Sequence, residues 1–321
     1  MNKSSLKVVA IGGGTGLSTM LRGIKKYTSD ITAIVTVSDN GGGSGILREE
    51  MNMVPPGDIR NCLVALANTE PIMKQLLQYR FKEGTLKGQN FGNLFLAALA
   101  DLSGNFEKAV QVTSNVLAIT GKVLPVTLEN VQLYATFEDD TCVEGETQIV
   151  DYSKAHHKMI TNIRLEPRNP KPAEAVIEAI EEAEMILLGP GSLYTSIVPN
   201  LLIDEVAQAI RTSRAQKIYI ANMMSQPGET TGFTVENHIE ELEKYIGVGT
   251  IDTVIVNNEN IPEEYLKKYM EDGAHMLSFD AQHPIWKLIK RIEAPLVRIN
   301  HEKEYIRHNQ EKLAEYIFDD F

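Results

Sequence analysis

The sequence predicts an α/β fold of the Rossmann-like kind, with a mostly parallel sheet, helices on both faces and a small antiparallel β insertion. Short apolar runs rich in β-branched residues alternate with segments of helical spacing, which is typical of a parallel sheet. Five of these runs end abruptly in Gly, Ser, Asp or Asn. Parallel strands share one carboxyl edge, where open sheets bind ligands. We therefore expect a ligand cleft at that edge.

The first two predicted strands are followed by the strongest loop signals. Residues 6–11 form an apolar run, GGGTG follows at 12–16, and residues 17–24 have helical spacing. This order directs helix N–H groups at an anion. The second strand begins at residue 31 and runs into Ser38, Asp39 and Asn40, and four of the next five residues are glycine. Such a loop costs conformational entropy, so we expect the backbone to approach a ligand there.

Two further polar segments precede predicted helices. Asp58 is the expected N-cap of a helix over residues 62–67. Arg60 opposes the dipole of that helix unless an anion or a carboxylate lies nearby. Asn90 and Asn93 carry amides that suit either ligand recognition or helix capping. Further helices are expected over residues 73–81, 95–102 and 105–120.

The pattern changes after residue 121. Residues 123–126, 131–137, 142–150 and 160–165 resemble strands separated by acidic or glycine turns, and we expect an antiparallel insertion over about 122–166. His156 and His157 lie in it, but adjacent histidines on regular structure cannot both point at one metal ion. No metal site is expected there.

The α/β alternation resumes at about residue 170. Strands over 185–188, 217–221 and 253–256 alternate with helices over 172–183, 202–212 and 235–245. The first of these strands ends in Gly189, Pro190, Gly191 and Ser192. From about 260 to 321 we expect a less regular helical part, with helices over 265–271, 286–291 and 311–318. Asn309 is the expected N-cap of the last helix. The chain from 1 to 321 is interpreted as a single domain.

Composition excludes several classes of protein. The net charge is -12, from 31 basic and 43 acidic residues, which argues against general binding of nucleic acid or of a membrane surface. Cys62 and Cys142 are far apart in sequence and are interpreted as free thiols in a reducing compartment. The sequence shows neither a signal peptide nor an apolar run long enough to span a membrane. We expect a cytoplasmic protein without membrane insertion.

The loop motifs together resemble one known family. AIGGGTGLS, TVSDNGGGSG, PPGDIRNCL, GQNFGNL, NMMSQPGET and the stretch from 189 to 202 are similar to motifs of the YvcK family, also called gluconeogenesis factor. That family is related to CofD, a 2-phospho-L-lactate transferase. The resemblance runs from residue 8 to about 307. It implies a bacterial cytoplasmic protein that binds UDP-sugars such as UDP-N-acetylglucosamine or UDP-glucose. It also implies a role in growth on gluconeogenic carbon sources, in cell shape and in cell-wall synthesis, through a protein partner.

One loop departs from the family pattern. The family commonly has Asp-Asp-Gly-Gly-Ser-Ser-Gly, whereas here Asn40 replaces the second acid and Gly43 the first serine. In the transferase relatives the acids of this loop hold a divalent metal. Asp39 retains one such ligand, so Mg²⁺ is a candidate cofactor. The missing second acid weakens the case for a site formed by two carboxylates at this loop, because Mg²⁺ requires hard oxygen ligands in strict geometry.

Three functions remain open from the sequence. The favoured one is a regulatory protein that binds a UDP-sugar without catalysis, because no cysteine or histidine falls in the glycine loops. The second is a CofD-like transferase in which Asp39 and Asp58 hold Mg²⁺ and Arg60 stabilises developing charge. The third is an NAD(P)-dependent enzyme. Its fingerprint requires a glycine where this chain has Leu17 or Thr19. The sequence does not determine the oligomeric state, and it is compatible with a homo-oligomer.

The predicted ligand-binding residues all lie in these loops, at the start of a following helix or directly before the last helix. They are Gly12, Gly13, Gly14, Thr15, Gly16, Asp39, Asn40, Gly41, Gly42, Arg60, Asn90, Asn93, Gly189, Gly191, Ser192, Asn222, Gln226 and Arg307.

Overall fold

The computed structural model describes residues 5–300 and 305–319. Its strands are β1 (Val8–Gly12), β2 (Ile31–Val35), β3 (Lys122–Pro125), β4 (Gln132–Phe137), β5 (Cys142–Glu144), β6 (Ile160–Glu166), β7 (Met185–Leu188), β8 (Gln216–Ile220), β9 (Thr253–Asn257), β10 (Lys290–Ala294), β11 (Val297–Asn300) and β12 (Tyr305–His308).

The α-helices are α1 (Gly14–Ile24), α2 (Gly42–Met51), α3 (Gly57–Leu66), α4 (Pro71–Gln78), α5 (Phe91–Ser103), α6 (Phe106–Val116), α7 (Glu146–His156), α8 (Glu174–Glu182), α9 (Val198–Leu201), α10 (Asp204–Thr212), α11 (Val235–Ile246), α12 (Glu263–Glu271) and α13 (Gln310–Asp319). A π-helical turn, Leu193–Ile197, leads directly into α9.

A seven-stranded sheet forms the centre, in the order β10-β9-β8-β7-β1-β2-β3. Every neighbouring pair in it is parallel. The predicted α/β, Rossmann-like class is confirmed. From β1 the chain moves outward to β2 and β3, and it later returns to the other side of β1 with β7. Because such crossovers are right-handed, the helices on the two sides of this point cover opposite faces. β1 and β7 therefore flank the topological switch point.

Burial explains why the central strands form here. β1, β2 and β7 are buried at every position, as expected for strands covered on both faces. β4 instead alternates between half-buried and buried positions, which is typical of a sheet with one solvated face. It pairs antiparallel with β5 and β6 in a separate three-stranded sheet. The predicted small antiparallel sheet is confirmed.

Helix α1 packs closely against its neighbours behind the first glycine loop. It contacts α3 and α13. A Cβ at Gly23 would overlap the backbone carbonyl of Gln310, so glycine is required where α1 approaches α13. Nearby, the rings of Tyr27 and Phe318 stack with centroids 4.8 Å apart. These contacts fix the orientation of α1, whose N-terminus lies at the carboxyl edge of the sheet.

The predictions for two strands of the insertion were partly wrong. Residues 122–125 form β3, which pairs with β2 in the main sheet rather than with the insertion. The strand predicted over 142–150 ends at Glu144, because Gly145 adopts a φ of +90° and the chain then begins α7. Ile149 and Tyr152 lie three residues apart on that helix, and Tyr152 packs on Phe137 of β4. Helical spacing was missed inside an apparent strand.

The predictions for residues 286–291, for Asp58 and for the second glycine loop also need correction. The helix predicted over 286–291 is a 3₁₀ turn (Pro284–Lys287) followed by β10, an edge strand of the main sheet. Asp58 is not an N-cap, because α3 begins one residue earlier with Pro56 as its N-cap. The glycine loop at 41–45 is largely the first turn of α2. Asn309 does cap the last helix, since its side chain accepts the N–H groups of Glu311 and Lys312.

Two further expectations concern cysteines and membranes. Cys62 is buried, Cys142 is exposed, and both thiols are free, as predicted. Within residues 5–300 and 305–319, none of the helices has the length and apolar character needed to cross a bilayer.

Candidate functional site

A cleft of about 480 Å³ opens at the switch point, between the loops that follow β1 and β7. The loop after β8, β12 and the α12 region also contribute lining residues. The residues that line it are Gly13, Gly14, Thr15, Gly16, Lys154, Pro190, Gly191, Ser192, Ser196, Asn222, Met223, Met224, Ser225, Gln226, Pro227, Tyr269, Asp272, Ala274, Ile306, Arg307 and His308. The cleft therefore lies where open α/β sheets bind ligands.

The two glycine loops touch each other at its base. A Cβ at Gly16 would overlap the carbonyl group of Pro190, and a Cβ at Gly13 would lie 2.8 Å from a carboxylate oxygen of Asp58. Gly14 adopts a φ of +65°, which favours glycine. A side chain at Gly16 would separate the two loops, so glycine is needed there for close approach of backbone to backbone.

Two predicted ligand-binding side chains hold the second loop instead of pointing freely into the cleft. Asn222 donates to the carbonyl oxygen of Gly191 at 2.8 Å and accepts its N–H at 3.3 Å. Gln226 donates to the hydroxyl of Ser192 at 2.5 Å. The ends of β7 and β8 are thus bonded together. Both amides line the cleft, but their first structural role is to shape the loop at 189–192.

The side chain of Asp58 is hydrogen-bonded to the N-terminus of α1. Its Oδ2 accepts the N–H of Gly14 at 2.6 Å. Burial, and secondly the negative charge of Asp39, raise the pKa of Asp58 to about 6. One N–H group of the first glycine loop is therefore already bonded to an internal carboxylate. Thr15 and Gly16 present the next part of that loop to the cleft.

Asp39 and Asn40 have different roles. Asp39 accepts the N–H of Gly41 at 2.8 Å, and its other oxygen would lie 2.9 Å from a Cβ at Gly57. Asn40 instead accepts the N–H of Thr147 at 3.2 Å and donates to Gln148 at 2.8 Å. Asn40 therefore connects the loop after β2 to the first turn of α7. This pairing accounts for an amide at the position where the family commonly has an acid.

Arg60, Asn90 and Asn93 form a cluster beside the cleft and do not line it. The carboxamide of Asn90 caps α5 by accepting the N–H of Asn93 at 3.1 Å and donates to the carbonyl of Tyr79 at 3.1 Å. Of the two roles considered for Asn90, the structure therefore shows capping. Asn93 donates to Ser44 at 3.3 Å. Gly41 and Gly42 also lie outside the residues that line the cleft.

Arg307 lines the cleft, next to a histidine that the motifs did not reveal. His308 lies buried at the end of β12, with its Nε2 at 3.1 Å from the carbonyl oxygen of Ala221. Burial lowers the pKa of His308 to about 4, so the ring is neutral at pH 7 and Nε2 donates the hydrogen bond. His308 lies on β12, a strand that the sequence did not predict.

Two more cleft residues were not among the predicted site residues. Lys154 belongs to α7, beyond the strand predicted over 142–150, and Tyr269 belongs to α12, for which a helix over 265–271 was predicted. A lysine on an exposed helix face and a half-buried tyrosine packed against the core carry no local signal of a site. Their approach to the cleft depends on how the insertion and the C-terminal part fold over the sheet edge.

The buried carboxylate of Glu229 supports the π-helical turn that follows the second glycine loop. Glu229 accepts the N–H of Tyr194 and the hydroxyl of Thr195, both at 3.1 Å. Burial raises the pKa of Glu229 to about 7. Glu146, in the first turn of α7, also has a raised pKa, chiefly from burial and then from the charges of Asp39 and Asp58. Several carboxylates therefore approach one another beneath the cleft.

Asp39 and Asp58 are the acids that were expected to hold Mg²⁺. Each directs one oxygen at a backbone N–H group. In the described part of the chain, no group of three or more His, Cys, Asp or Glu side chains is arranged to hold a metal ion. Mg²⁺ is often bound by one or two carboxylates together with substrate phosphates and water, so the pair fits such a site only in company with a phosphate ligand.

A parallel sheet with a cleft between two glycine loops at its switch point defines a Rossmann-like α/β protein. Within that class, the chain belongs to the family described as 2-phospho-L-lactate transferase CofD, whose model matches residues 8–297. It is 53% identical to a Thermoanaerobacterium thermosulfurigenes protein that carries the gluconeogenesis factor name, covering 97% of this chain and 95% of that one. It is 43% identical to the gluconeogenesis factor of Bacillus subtilis, covering 98% and 97%.

A solved structure agrees with the fold. A Bacillus halodurans protein of the UPF0052 family superposes with a TM-score of 0.93 at 41% sequence identity, covering 98% of this chain and all of that one.

Proposed function

We propose that this protein binds a UDP-sugar such as UDP-N-acetylglucosamine or UDP-glucose in the cleft at 12–16 and 189–192. It would act as a regulatory protein needed for growth on gluconeogenic carbon sources, and for cell shape through a cytoplasmic partner in cell-wall synthesis. The name of its relatives supports the gluconeogenic part. The observation that carries the ligand assignment is the contact of two glycine loops at the switch point, which brings Thr15 and Gly16, at the N-terminus of α1, and Ser192 to one cleft.

The cleft suits a ligand with a diphosphate. Thr15 and Gly16 lie at the N-terminus of α1, and Gly191 and Ser192 lie on the opposite loop. Arg307 supplies a positive charge from β12. The volume of about 480 Å³ lies within the usual range for small-molecule pockets, roughly 300–1,000 Å³. Arg307 and the helix N-terminus would share the charge of the diphosphate, and Met223, Met224 and Tyr269 would contact apolar parts of the ligand.

The side chains in the cleft favour binding without chemistry. His308 is neutral and donates to a backbone carbonyl. The hydroxyl of Ser192 accepts the amide N–H of Gln226 at 2.5 Å and donates to the buried carboxylate of Glu229. Nucleophilic catalysis needs a nucleophile within hydrogen-bond reach of a base. Among the described residues that line the cleft, no serine or threonine hydroxyl is bonded to a histidine ring. The lack of a serine–histidine pair there supports a regulatory protein.

A CofD-like, Mg²⁺-dependent phosphoryl-group transferase is the second candidate. The family match favours it, and phosphoryl transfer needs mainly positioning and charge neutralisation. Asp39 and Asp58 would hold Mg²⁺ together with the substrate phosphates, and Arg60 would stabilise developing charge. The substitution of Asn40 for the second acid counts against it, because that side chain already bonds to α7.

Calorimetric titration with UDP-N-acetylglucosamine, with and without Mg²⁺, separates these functions. Metal-independent binding with the ligand recovered intact by mass spectrometry is expected for the regulatory protein. Metal-dependent binding with a cleaved or transferred product would establish the transferase. Asp39→Asn provides the matched variant: its affinity stays within a few-fold of the parent under the first function, whereas turnover is lost under the second. Absence of heat with either nucleotide sugar would reject UDP-sugar binding.

A further inference from the structure

Arg60 is a cation with most of its donors unused. Its Nη2 donates to Asn61 at 2.7 Å. Its Nε and Nη1 are both buried, and no described residue accepts a hydrogen bond from either atom. Unpaired buried donors of a charged group are costly, by about 1–3 kcal/mol or more for each group. Such donors in a native structure indicate a partner that the protein chain does not supply.

A second guanidinium group lies next to the first. Burial, and secondly the charge of Arg80, lower the pKa of Arg60 to about 10. The geometry agrees: Arg80 pairs with Asn90 in an isolated bridge, and the Arg60 side chain passes over Gly92, where a Cβ would lie 2.7 Å from its Cδ. In a chain with 12 more acidic than basic residues, no described acid forms an ion pair with either arginine.

The nearby carboxylates are directed elsewhere. Asp58 and Asp39 are close enough to favour the charged form of Arg60. Asp58, however, bonds to the N–H of Gly14 at 2.6 Å, and Asp39 bonds to the N–H of Gly41 at 2.8 Å. Among the described residues, neither acid forms a salt bridge with Arg60.

The same cluster contains two unused acceptors. The Oδ1 of Asn93 and the Oε1 of Gln89 are buried without a described donor, and Asn93 is only 3% exposed. Asn93 lies in the first turn of α5, and its Nδ2 bonds to Ser44 in the first turn of α2. Gln89 lies against Gly43 of α2. Both helix N-termini add favourable positive potential. The cluster therefore offers donors to an oxyanion and acceptors to a hydroxyl group.

We propose that Arg60, Arg80, Asn93 and Gln89 form a second binding site, separate from the cleft, for the phosphate group of a small molecule. Two guanidinium groups suit a phosphate dianion. The amide oxygens suit a hydroxyl donor, which the protonated form of phosphate carries and sulfate lacks at neutral pH. Residues 82–88, between Arg80 and Gln89, are exposed.

Titration of the full chain with inorganic phosphate at constant ionic strength tests this site. Arg60→Gln is expected to weaken phosphate binding at least tenfold, and Arg80→Gln about three- to tenfold. Arg164→Gln removes an equal charge from the exposed face of the insertion, where that side chain pairs with Glu166, and should leave binding unchanged. Sulfate should bind several-fold more weakly than phosphate. Because Arg80 is exposed, its variant tests the site even if Arg60→Gln fails to fold.

A second titration distinguishes this site from the cleft. Arg307→Gln should leave phosphate binding at the arginine pair intact, and saturation with UDP-N-acetylglucosamine should not block it. Phosphate affinity that is unchanged in both Arg60→Gln and Arg80→Gln but lost in Arg307→Gln would overturn the proposal, as would absence of phosphate binding. Equal affinity for sulfate would contradict the role assigned to the amide oxygens. The phosphate result stands whether or not a UDP-sugar binds the cleft.

Discussion

The carboxylate of Asp58 accepts the backbone N–H of Gly14 at 2.6 Å, and so an internal acid bonds to the N-terminus of α1. The residue is half-buried, and desolvation of its carboxyl group is the main cause that raises its pKa from 3.8 to about 6. The native state therefore retains the proton between pH 4 and 6, where the unfolded chain releases it. The contribution of Asp58 to stability is fully present below about pH 4 and is lost as the pH rises through 6.

Asp58→Asn should reverse this loss, because an amide can still accept the N–H of Gly14 and carries no titrating proton. A shift of about two pKa units corresponds to about 3 kcal/mol. We expect the free energy of unfolding of the variant, relative to the parent, to rise by up to about 3 kcal/mol between pH 4 and 7. Urea unfolding at several pH values measures this difference. A difference that does not change with pH would mean that Asp58 is not buried as an ion.

Gly16→Ala tests the contact between the two glycine loops. A Cβ would overlap the carbonyl of Pro190, so the loops must separate. We expect a loss of stability of about 1–3 kcal/mol and at least tenfold weaker binding of UDP-N-acetylglucosamine. Gly12→Ala is the control, since a Cβ there meets its nearest atoms at 3.8–3.9 Å, an ordinary contact. Equal effects of the two substitutions would remove close approach of the loops as the cause.

Arg307→Gln should weaken binding of the nucleotide sugar by about 10- to 100-fold, as expected for loss of a hydrogen bond between charged groups worth about 1.5–3 kcal/mol. Arg298 faces Arg307 across the β11–β12 pair and does not line the main cleft, so Arg298→Gln is the matched control. Calorimetry gives both affinities, and thermal unfolding shows whether the hairpin is intact. An equal loss in both variants would indicate a general effect of net charge.

Asn40→Ala should loosen the insertion from the main sheet edge. The substitution removes the acceptor for the N–H of Thr147 and the donor to Gln148. Each lost hydrogen bond costs about 1 kcal/mol, so we expect faster amide exchange in the first turn of α7 and a fall in stability of about 1–2 kcal/mol. Asn40→Asp keeps an acceptor at a helix N-terminus and should restore most of the protection. Unchanged exchange in the alanine variant would show that other contacts hold α7.

Local patterns predicted most of the sheet and one side of the site. β7 was predicted with its observed bounds, because a continuous apolar run between polar loops has no competing interpretation. β10 was missed, because charged residues dominate the sequence KRIEA of this edge strand. Only its parallel pairing with β9 shows that it is a strand. The switch-point loops were predicted from their glycines. Lys154, Tyr269 and His308 were not, because only the tertiary fold brings them to the cleft.

The position of Asn222 at the sheet edge was predicted correctly, whereas its role in ligand binding stays a prediction. Its place at the end of β8 was predicted, and the structure locates it in the cleft. Its amide nevertheless exchanges two hydrogen bonds with the backbone of Gly191. The sequence shows which group is present at the sheet edge but does not show whether another loop will already use it.

The bonds from Asn222 to Gly191 and from Gln226 to Ser192 also bear on the thermodynamics of binding. They join the loop after β7 to the loop after β8 before any ligand arrives. The conformational entropy of ordering this wall of the cleft is thus lost during folding rather than during association. Binding at a preorganised wall leaves only the ligand and a few side chains to be immobilised, so replacing Asn222 by alanine should appear mainly as a more unfavourable entropy of association.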